Sequence, residues 1–467
     1  MPLPASSPRA PTASAGPLTQ IPVGHGPIGI AMAPDGAHAY VSNFGSGTVT
    51  VLATATTTAV ATVATGAGPW GIAVSPDGTQ VYVSNFGAGT VSVLDTATNA
   101  VVATIGGLTN PVGVAFAPGG QFAYVVSQGT DAVVRVDTAT HAVLGAVPVG
   151  NRPYNLLITP DGTRAYVTNF GADSVSVLDT ATDTVLTTIT GFNLPRALAL
   201  TRDGLRLYVT NYGGNSVSVV STYSNSVVKT IGGLSIPFYV AVAPNGGRAY
   251  VSVDGTGSVQ VVDVATDTVT VGVPGFNVPN WLAVTPDSRR VYVVNNGGDS
   301  VGVFRSPAGV VPAQGPIGGG TTVTVTGRYF TGATAVKFGS WAARSFTVLD
   351  DNTITAVTPA GSRAVPVTVT GPGGTGVLGH FYYIPPPLLT ALSPSGGPVG
   401  GGNAVVISGD HLSTATAVRF GATSLFPTVD SDSQITVLAP VAPGPRDVLV
   451  QVITPGGPSN ALTYAYA

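Results

Sequence analysis

Tyrosines at 40, 82, 124, 166, 208, 250 and 292 stand 42 residues apart, without one insertion or deletion across the series. A Pro-Asp-Gly turn keeps the same clock at Pro34, Pro76, Pro160 and, with variations, at Pro118, Pro244 and Pro286; Arg202 replaces the proline in the fifth copy. So strict a period restricts the chain to architectures in which each unit packs against a near-copy of itself. The second unit divides as WGIAVS, turn PDG, QVYVSN, turn FGAG, TVSVLD, turn TATN and AVVATIGG. That is four short strands joined by Asp-Gly and Asn-x-Gly turns, which supply the positive φ that tight hairpins need. The middle strands are apolar at nearly every position, the pattern of a sheet covered on both faces. Seven four-stranded units of this length are expected to form an all-β, seven-bladed propeller. After Ser300–Arg305 the pattern stops one strand short. Its missing partner aligns with residues 17–23, so this N-terminal segment is expected to complete the last blade and close the ring.

Composition agrees and excludes several classes. The chain of 467 residues has 62 glycines, 38 prolines and only 8% charged residues; its acidic residues are all aspartate, and Lys229 and Lys337 are its lysines. Strong polar helix formers are nearly absent, while valine and threonine abound. Mean hydropathy is positive at +0.38, yet there is no apolar run long enough for a membrane helix, and membrane insertion is not expected. A net charge of −3 provides no cationic field for nucleic acid. With no cysteine, disulfides, thiolate nucleophiles and Cys-ligated metals are excluded. Residues 1–16, MPLPASSPRAPTASAG, lack the apolar core of a signal peptide and read as a disordered tail. The expectation is a secreted or cell-surface chain whose export signal is not in this sequence.

The motif Tyr-Val-[Ser/Thr]-Asn-[Phe/Tyr]-Gly followed by Ser-Val-Ser-Val, best seen at 82–95, 166–179 and 208–220, resembles the YVTN family of β-propeller repeats. A different period takes over at residue 307. VVPAQGPIGGGTTVTVTGRYFTGATAVKFG aligns with LSPSGGPVGGGNAVVISGDHLSTATAVRFG at an offset of 82 residues. This pair resembles IPT/TIG domains, which implies immunoglobulin-like sandwiches; strand lengths and turn spacing fit a small sandwich independently. The expected organisation is a tail over 1–16, a propeller over 17–306, and sandwiches over 307–384 and 385–467, with Pro385–Pro387 as a stiff linker giving an elongated rod.

Candidate chemistry is sparse. Glycines 318–320 and 400–402 follow no strand-to-helix pattern and carry no P-loop lysine, so they read as sandwich turns. The repeat asparagines (Asn43, Asn85, Asn169, Asn211, Asn295) and the aspartates of the DTAT-type turns (Asp95, Asp137, Asp179, Asp263) read as turn residues. The histidines, at 25, 38, 141, 380 and 411, form no evident pair. His25 falls near the channel mouth, with no orienting carboxylate identifiable in the sequence. Asp131, Asp173 and Asp299 are spread round the disc, one per blade. No catalytic residue, metal or cofactor is therefore expected.

One pair of repeat positions is not copied. After the proline that opens each innermost strand come Ile28, Trp70, Val112, Tyr154, Arg196, Phe238 and Asn280; the next position reads Gly29, Gly71, Gly113, Asn155, Ala197, Tyr239 and Trp281. These side chains either rim the channel or pack between blades. Aromatics mixed with an arginine and asparagines suit stacking on sugar rings or gripping a peptide. The candidate ligand-binding set is therefore Trp70, Tyr154, Asn155, Arg196, Phe238, Tyr239, Asn280 and Trp281. The expected function is non-catalytic binding or adhesion, with a cell-surface glycan or protein, or other subunits of a secreted assembly, as partner. A structural role in a surface layer, and a propeller-type lactonase or lyase, are the alternatives.

Overall fold

A computed structural model describes residues 19–467, except 202–203, 223, 265–266, 308, 413–414, 416, 426 and 432. The segment 1–16, read as a tail, and Arg202 lie outside the described residues. The chain divides into two compact units, one spanning residues 15–306 and one holding residues 307–467.

The first unit is a ring of seven four-stranded sheets. Blade one runs through an inner strand Pro27–Met32, a second His38–Asn43, a third Thr48–Ala53 and an outer Thr58–Ala64. Burial follows position in the blade. The second strand is buried almost throughout and the third nearly so, while the outer strand is largely exposed, with Val63 its buried residue. This is why the middle strands read as unbroken apolar runs. In blade seven, Thr19–Pro22 pairs antiparallel with Ser300–Arg305, setting Ile21 opposite Val301. The expected closure is thus observed, and Ile21 is buried in the blade-seven and blade-one core.

Each letter of the repeated motif has a mechanical task. The tyrosine hydroxyl crosses to the third-to-outer-strand turn of the next blade: Tyr82 to His141 Nδ1 (2.9 Å), Tyr166 to Asn225 Oδ1 (3.3 Å), Tyr208 to Asp267. The Ser or Thr hydroxyl accepts from the inner strand of its own blade and donates to the inner strand of the next. Ser84 Oγ takes the Gly71 amide at 2.8 Å and gives to the Val112 carbonyl at 2.5 Å; Thr168 Oγ1 takes the Asn155 amide and gives to the Arg196 carbonyl. The asparagine amide donates to two hydroxyls of the third strand, as Asn85 does to Thr90 and Ser92. These asparagines are buried clips between strands rather than stabilisers of the turn alone.

Two β-sandwiches form the second unit. In the first, a sheet of Gly309–Val311, Thr322–Thr326, Thr353–Val357 and Ser345–Asp350 opposes a five-stranded sheet that includes Ala335–Phe338, Arg363–Gly371 and Gly374–Ile384. Val323, Phe338, Val367 and Phe381 fill the space between; Val405, Val418, Ile435, Val450 and Tyr464 do so in the second. The glycine runs are turns. Gly319 has φ +70°, and a Cβ there would lie 2.2 Å from the Pro359 carbonyl oxygen, so no other residue fits.

Closure gives a direct expectation. Removing residues 1–23 strips the outer strand from blade seven and bares the edge of Ser300–Arg305, so the propeller melt recorded by calorimetry should fall by several degrees; an unchanged melt contradicts the closure.

Candidate functional site: an aromatic crescent around the channel

The propeller has two faces. The lower carries the Pro-Asp-Gly and DTAT-type turns; the upper carries the loops into the inner strands and the turns that follow the repeat asparagines. On the lower face the aspartates serve their own turns. Asp95 accepts from the Thr98 amide and hydroxyl, and Asp137 likewise from Thr140. A cleft of about 700 Å³ opens there between blades two and three, lined by Ser75, Asp77, Gln80, Gln121, Phe122 and Asp137. Its Asp77 carboxyl is held below the usual range by the Ser75 hydroxyl and the Thr79 amide.

The uneven inner-strand positions lie at the channel, and the structure sorts them into two layers. Asn155, Asn280 and Trp281 are buried, and Tyr239 is half-buried. Tyr239 and Trp281 stack with ring centroids 4.8 Å apart and planes 23° apart. Burial pushes the Tyr239 phenol up to about 12, with the Asn155 side chain from blade four pulling slightly the other way. These four side chains are packed into the interior of the ring. The small residues opposite them are required by the backbone: a Cβ on Gly71 would lie 2.0 Å from the Val112 carbonyl oxygen, and one on Gly29 2.5 Å from that of Trp70. At this position blades one and two leave no room for a side chain, and blades four, six and seven supply the bulk. For Asn155, Tyr239, Asn280 and Trp281 the packing alternative describes the placement.

The second layer is graded in burial: Phe44 is exposed, Trp70, Phe86, Phe170, Arg196 and Tyr212 are half-buried, and Tyr154 and Phe238 are buried. Trp70 is half-buried and lies edge-on to Phe44 (5.5 Å) and to Tyr154 (6.0 Å), and tilted over Phe86 (5.5 Å). From Tyr154 the rings continue through Phe170 and Tyr212 to Phe238 at spacings of 6.1, 6.2 and 6.4 Å. Arg196 stands among the last of them, its guanidinium 3.4 Å from the Phe238 centroid, 4.7 Å from Tyr154 and 5.0 Å from Tyr212. Its Nη2 donates to the Tyr154 hydroxyl at 2.6 Å. Arg152 lies over Phe170 at 5.4 Å. The result is a crescent of packed aromatic rings at the upper face, running from blade one to blade six, with Tyr154 and Phe238 buried within it. The repeat holds it in place: the main-chain carbonyls of Trp70, Arg196 and Phe238 each accept the Ser or Thr hydroxyl of the preceding blade.

Four members of the crescent, Phe44, Phe86, Phe170 and Tyr212, were absent from the expected set because they belong to the repeated motif. A signal for them exists in the sequence. The position after the repeat asparagine reads Phe44, Phe86, Gln128, Phe170, Tyr212, Asp254 and Asn296, which is also unevenly dealt.

The remaining candidates also find their places. Asp131 Oδ1 accepts the Arg152 amide at 2.7 Å, Asp173 Oδ1 the Leu194 amide at 2.7 Å, and Asp299 Oδ1 the Gly26 amide at 2.9 Å. Each tethers an upper loop. Asp299 also corrects the reading of His25: closure brings its Oδ2 within 3.0 Å of His25 Nδ1, so an orienting carboxylate does exist, from the other end of the propeller sequence. The His25 hydrogen bond, then the Gly26 amide, holds the Asp299 carboxyl below its ordinary value. Both side chains are open to solvent, and the nearby Ser46 hydroxyl bonds the His25 main chain, not its ring. Among the described residues no group of three or more His and Asp side chains is placed to share a metal ion.

Comparison with known families now adds to the geometry. Residues 307–383 and 387–466 match the family model described as the IPT/TIG domain, and residues 10–144 match that described as "Lactonase, 7-bladed beta-propeller". The chain is a seven-bladed propeller followed by two IPT/TIG domains. The propeller match carries the name of the lactonase family, not that of YVTN repeats. Among solved structures, Kuenenia stuttgartiensis hydrazine synthase is similar at 23% identity and a TM-score of 0.56, over 60% of this chain and 96% of that one. This likeness is one of fold. No curated protein matches the chain. The propeller and IPT/TIG domains fit a binding or structural role.

Burial also sets an alkaline limit. Tyr82 and Tyr239 have phenols raised by burial to about 12, against about 10 when unfolded. The unfolded chain therefore releases these protons first. The stability they contribute is complete below about pH 10 and is lost as pH rises toward 12. Absorbance titration of phenolate should show a late-ionising class whose ionisation accompanies unfolding; full ionisation near pH 10 without unfolding contradicts it.

Proposed function

We propose that this is a non-catalytic binding protein of the extracellular space, whose upper propeller face recognises a cell-surface glycan or protein, with the IPT/TIG domains as spacer or docking end. The crescent is the observation that supports the reading. Partly exposed rings held in a row, as Phe44, Trp70, Phe86, Phe170 and Tyr212 are, offer large, rigid contact area at low entropic cost, the composition favoured where proteins grip partners. Phe44 is 37% exposed, on a surface otherwise rich in small hydroxyl residues. The repeat tyrosines, by contrast, are buried. The chemistry of the site points the same way, since it presents ring faces and guanidinium groups rather than a nucleophile with a base.

The test separates surface from interior. Substituting Trp70→Ala together with Tyr212→Ala removes two half-buried crescent rings and should abolish retention on glycan arrays or captured surface protein, with the melt within a few degrees of wild type. Trp281→Ala is unsuitable for this purpose, because emptying a buried tryptophan site costs about 3–5 kcal/mol. Undiminished retention by the Trp70/Tyr212 variant sinks the proposal.

The His25–Asp299 pair and the lactonase-family match over residues 10–144 favour one competing reading, hydrolysis of a lactone. Turnover of a lactone panel that His25→Ala abolishes would replace binding by catalysis; no turnover is expected.

A further inference from the structure

We propose that the crescent takes an acidic polysaccharide, the carboxylate of a uronate residue meeting Arg196 while sugar rings lie on Trp70, Phe170 and Tyr212. This rests on reading the crescent as a binding surface, and adds the chemical class of what it binds.

The argument starts from how the propeller treats its arginines. On the lower face they are paired with the next blade. Arg135 meets Asp183 at 2.7 Å, Arg206 meets Asp267 at 2.8 Å, and Arg164 and Arg290 donate to the carbonyls of Thr222 and Thr54. Arg196 and Arg152, on the upper face, are different. Arg196 is half-buried among three rings, and its hydrogen bond goes to a neutral phenol. Its Nε is buried without a hydrogen-bond partner. No described carboxylate lies within ion-pair distance of either guanidinium.

A guanidinium stripped of part of its water and given no counter-ion is costly. Its flat fork matches a carboxylate, and stacking on Phe238 fixes its plane. The upper-face aspartates do not meet the need, because Asp131, Asp173 and Asp299 accept loop amides and lie with those loops.

A polysaccharide fits better than an acidic peptide. An extended peptide gains affinity from main-chain hydrogen bonds to free backbone groups. Here the turn amides of Phe44, Phe86, Phe170 and Tyr212 are already bonded to the carbonyls of Gly26, Gly68, Arg152 and Leu194. What the surface leaves on offer is ring faces and guanidinium groups.

The test uses the intact chain in titration calorimetry against oligomers of galacturonate, glucuronate and mannuronate, each beside its fully methyl-esterified form. The ester keeps the ring and removes only the charge. At least one acid oligomer should bind roughly tenfold or more tighter than its ester, the size expected of a charge-assisted hydrogen bond, and this preference should weaken with added salt. Arg196→Gln should abolish the preference, lowering acid binding to the level of the ester; Trp70→Ala should weaken both. Acid and ester binding equally, with Arg196→Gln silent and Trp70→Ala disruptive, overturns the acidic class and leaves the binding surface standing. No binding by any oligomer overturns the polysaccharide class. Tighter binding of acidic peptides than of every uronate oligomer overturns it in favour of a protein partner.

Discussion

The antiparallel pairing of Thr19–Pro22 with Ser300–Arg305 is the contact on which the propeller and its site depend. A row of blades with two free ends would present unpaired edges and an open cleft between the first and last units. Pairing the two ends makes the ring continuous, buries Ile21 in a core shared with Ile28 and Trp281, and brings Asp299 to His25 and the Gly26 amide. It also gives the channel its fixed width. Tyr239 and Trp281 pack in the core that closure joins, beside Ile28 and Ile30 of blade one. With these side chains packed inside the ring, recognition is confined to the surface above them.

That surface inherits its rigidity from the repeat. The Ser and Thr hydroxyls of the second strands bind the main chain of the next blade at the positions that carry Trp70, Arg196 and Phe238. Rings held by a frame bonded from blade to blade, as at Ser42, Ser84, Thr168 and Thr210, lose little entropy when a ligand arrives. The division of labour is physical: backbone groups at these positions belong to the frame, side chains to the site. A copied motif and an uncopied side chain can therefore occupy adjacent atoms without conflict.

How far the sequence was legible follows the same division. The period of the tyrosines, the turn chemistry and the missing last strand determine the ring, because each is a local rule repeated seven times. Tyr82 and Ser84 could be named as frame from their recurrence. Their partners, His141 and the Val112 carbonyl, could not be read in one dimension. The split between the two layers, by contrast, follows repeat position: Trp70 stands at the first uneven position and Trp281 at the second, one residue further along the strand, and successive strand residues point to opposite faces. Phe170 and Tyr212 were hidden because they stand inside a motif whose neighbours are structural. His25 lacked a visible carboxylate because its partner is 274 residues away, at the other end of the closing strand pair.

The central claim is that recognition sits where the blades differ on one face, and not on the shared turns of the other. Hydroxyl-radical footprinting of the intact chain, with and without a saturating oligosaccharide drawn from those that bind it, measures this most directly. Protection should be concentrated at Phe44, Trp70, Phe86, Phe170 and Tyr212, with the lower-face residues Pro76, Pro118 and Phe122 unchanged. Protection on the lower face or in the IPT/TIG domains, with the crescent unaltered, would contradict the account.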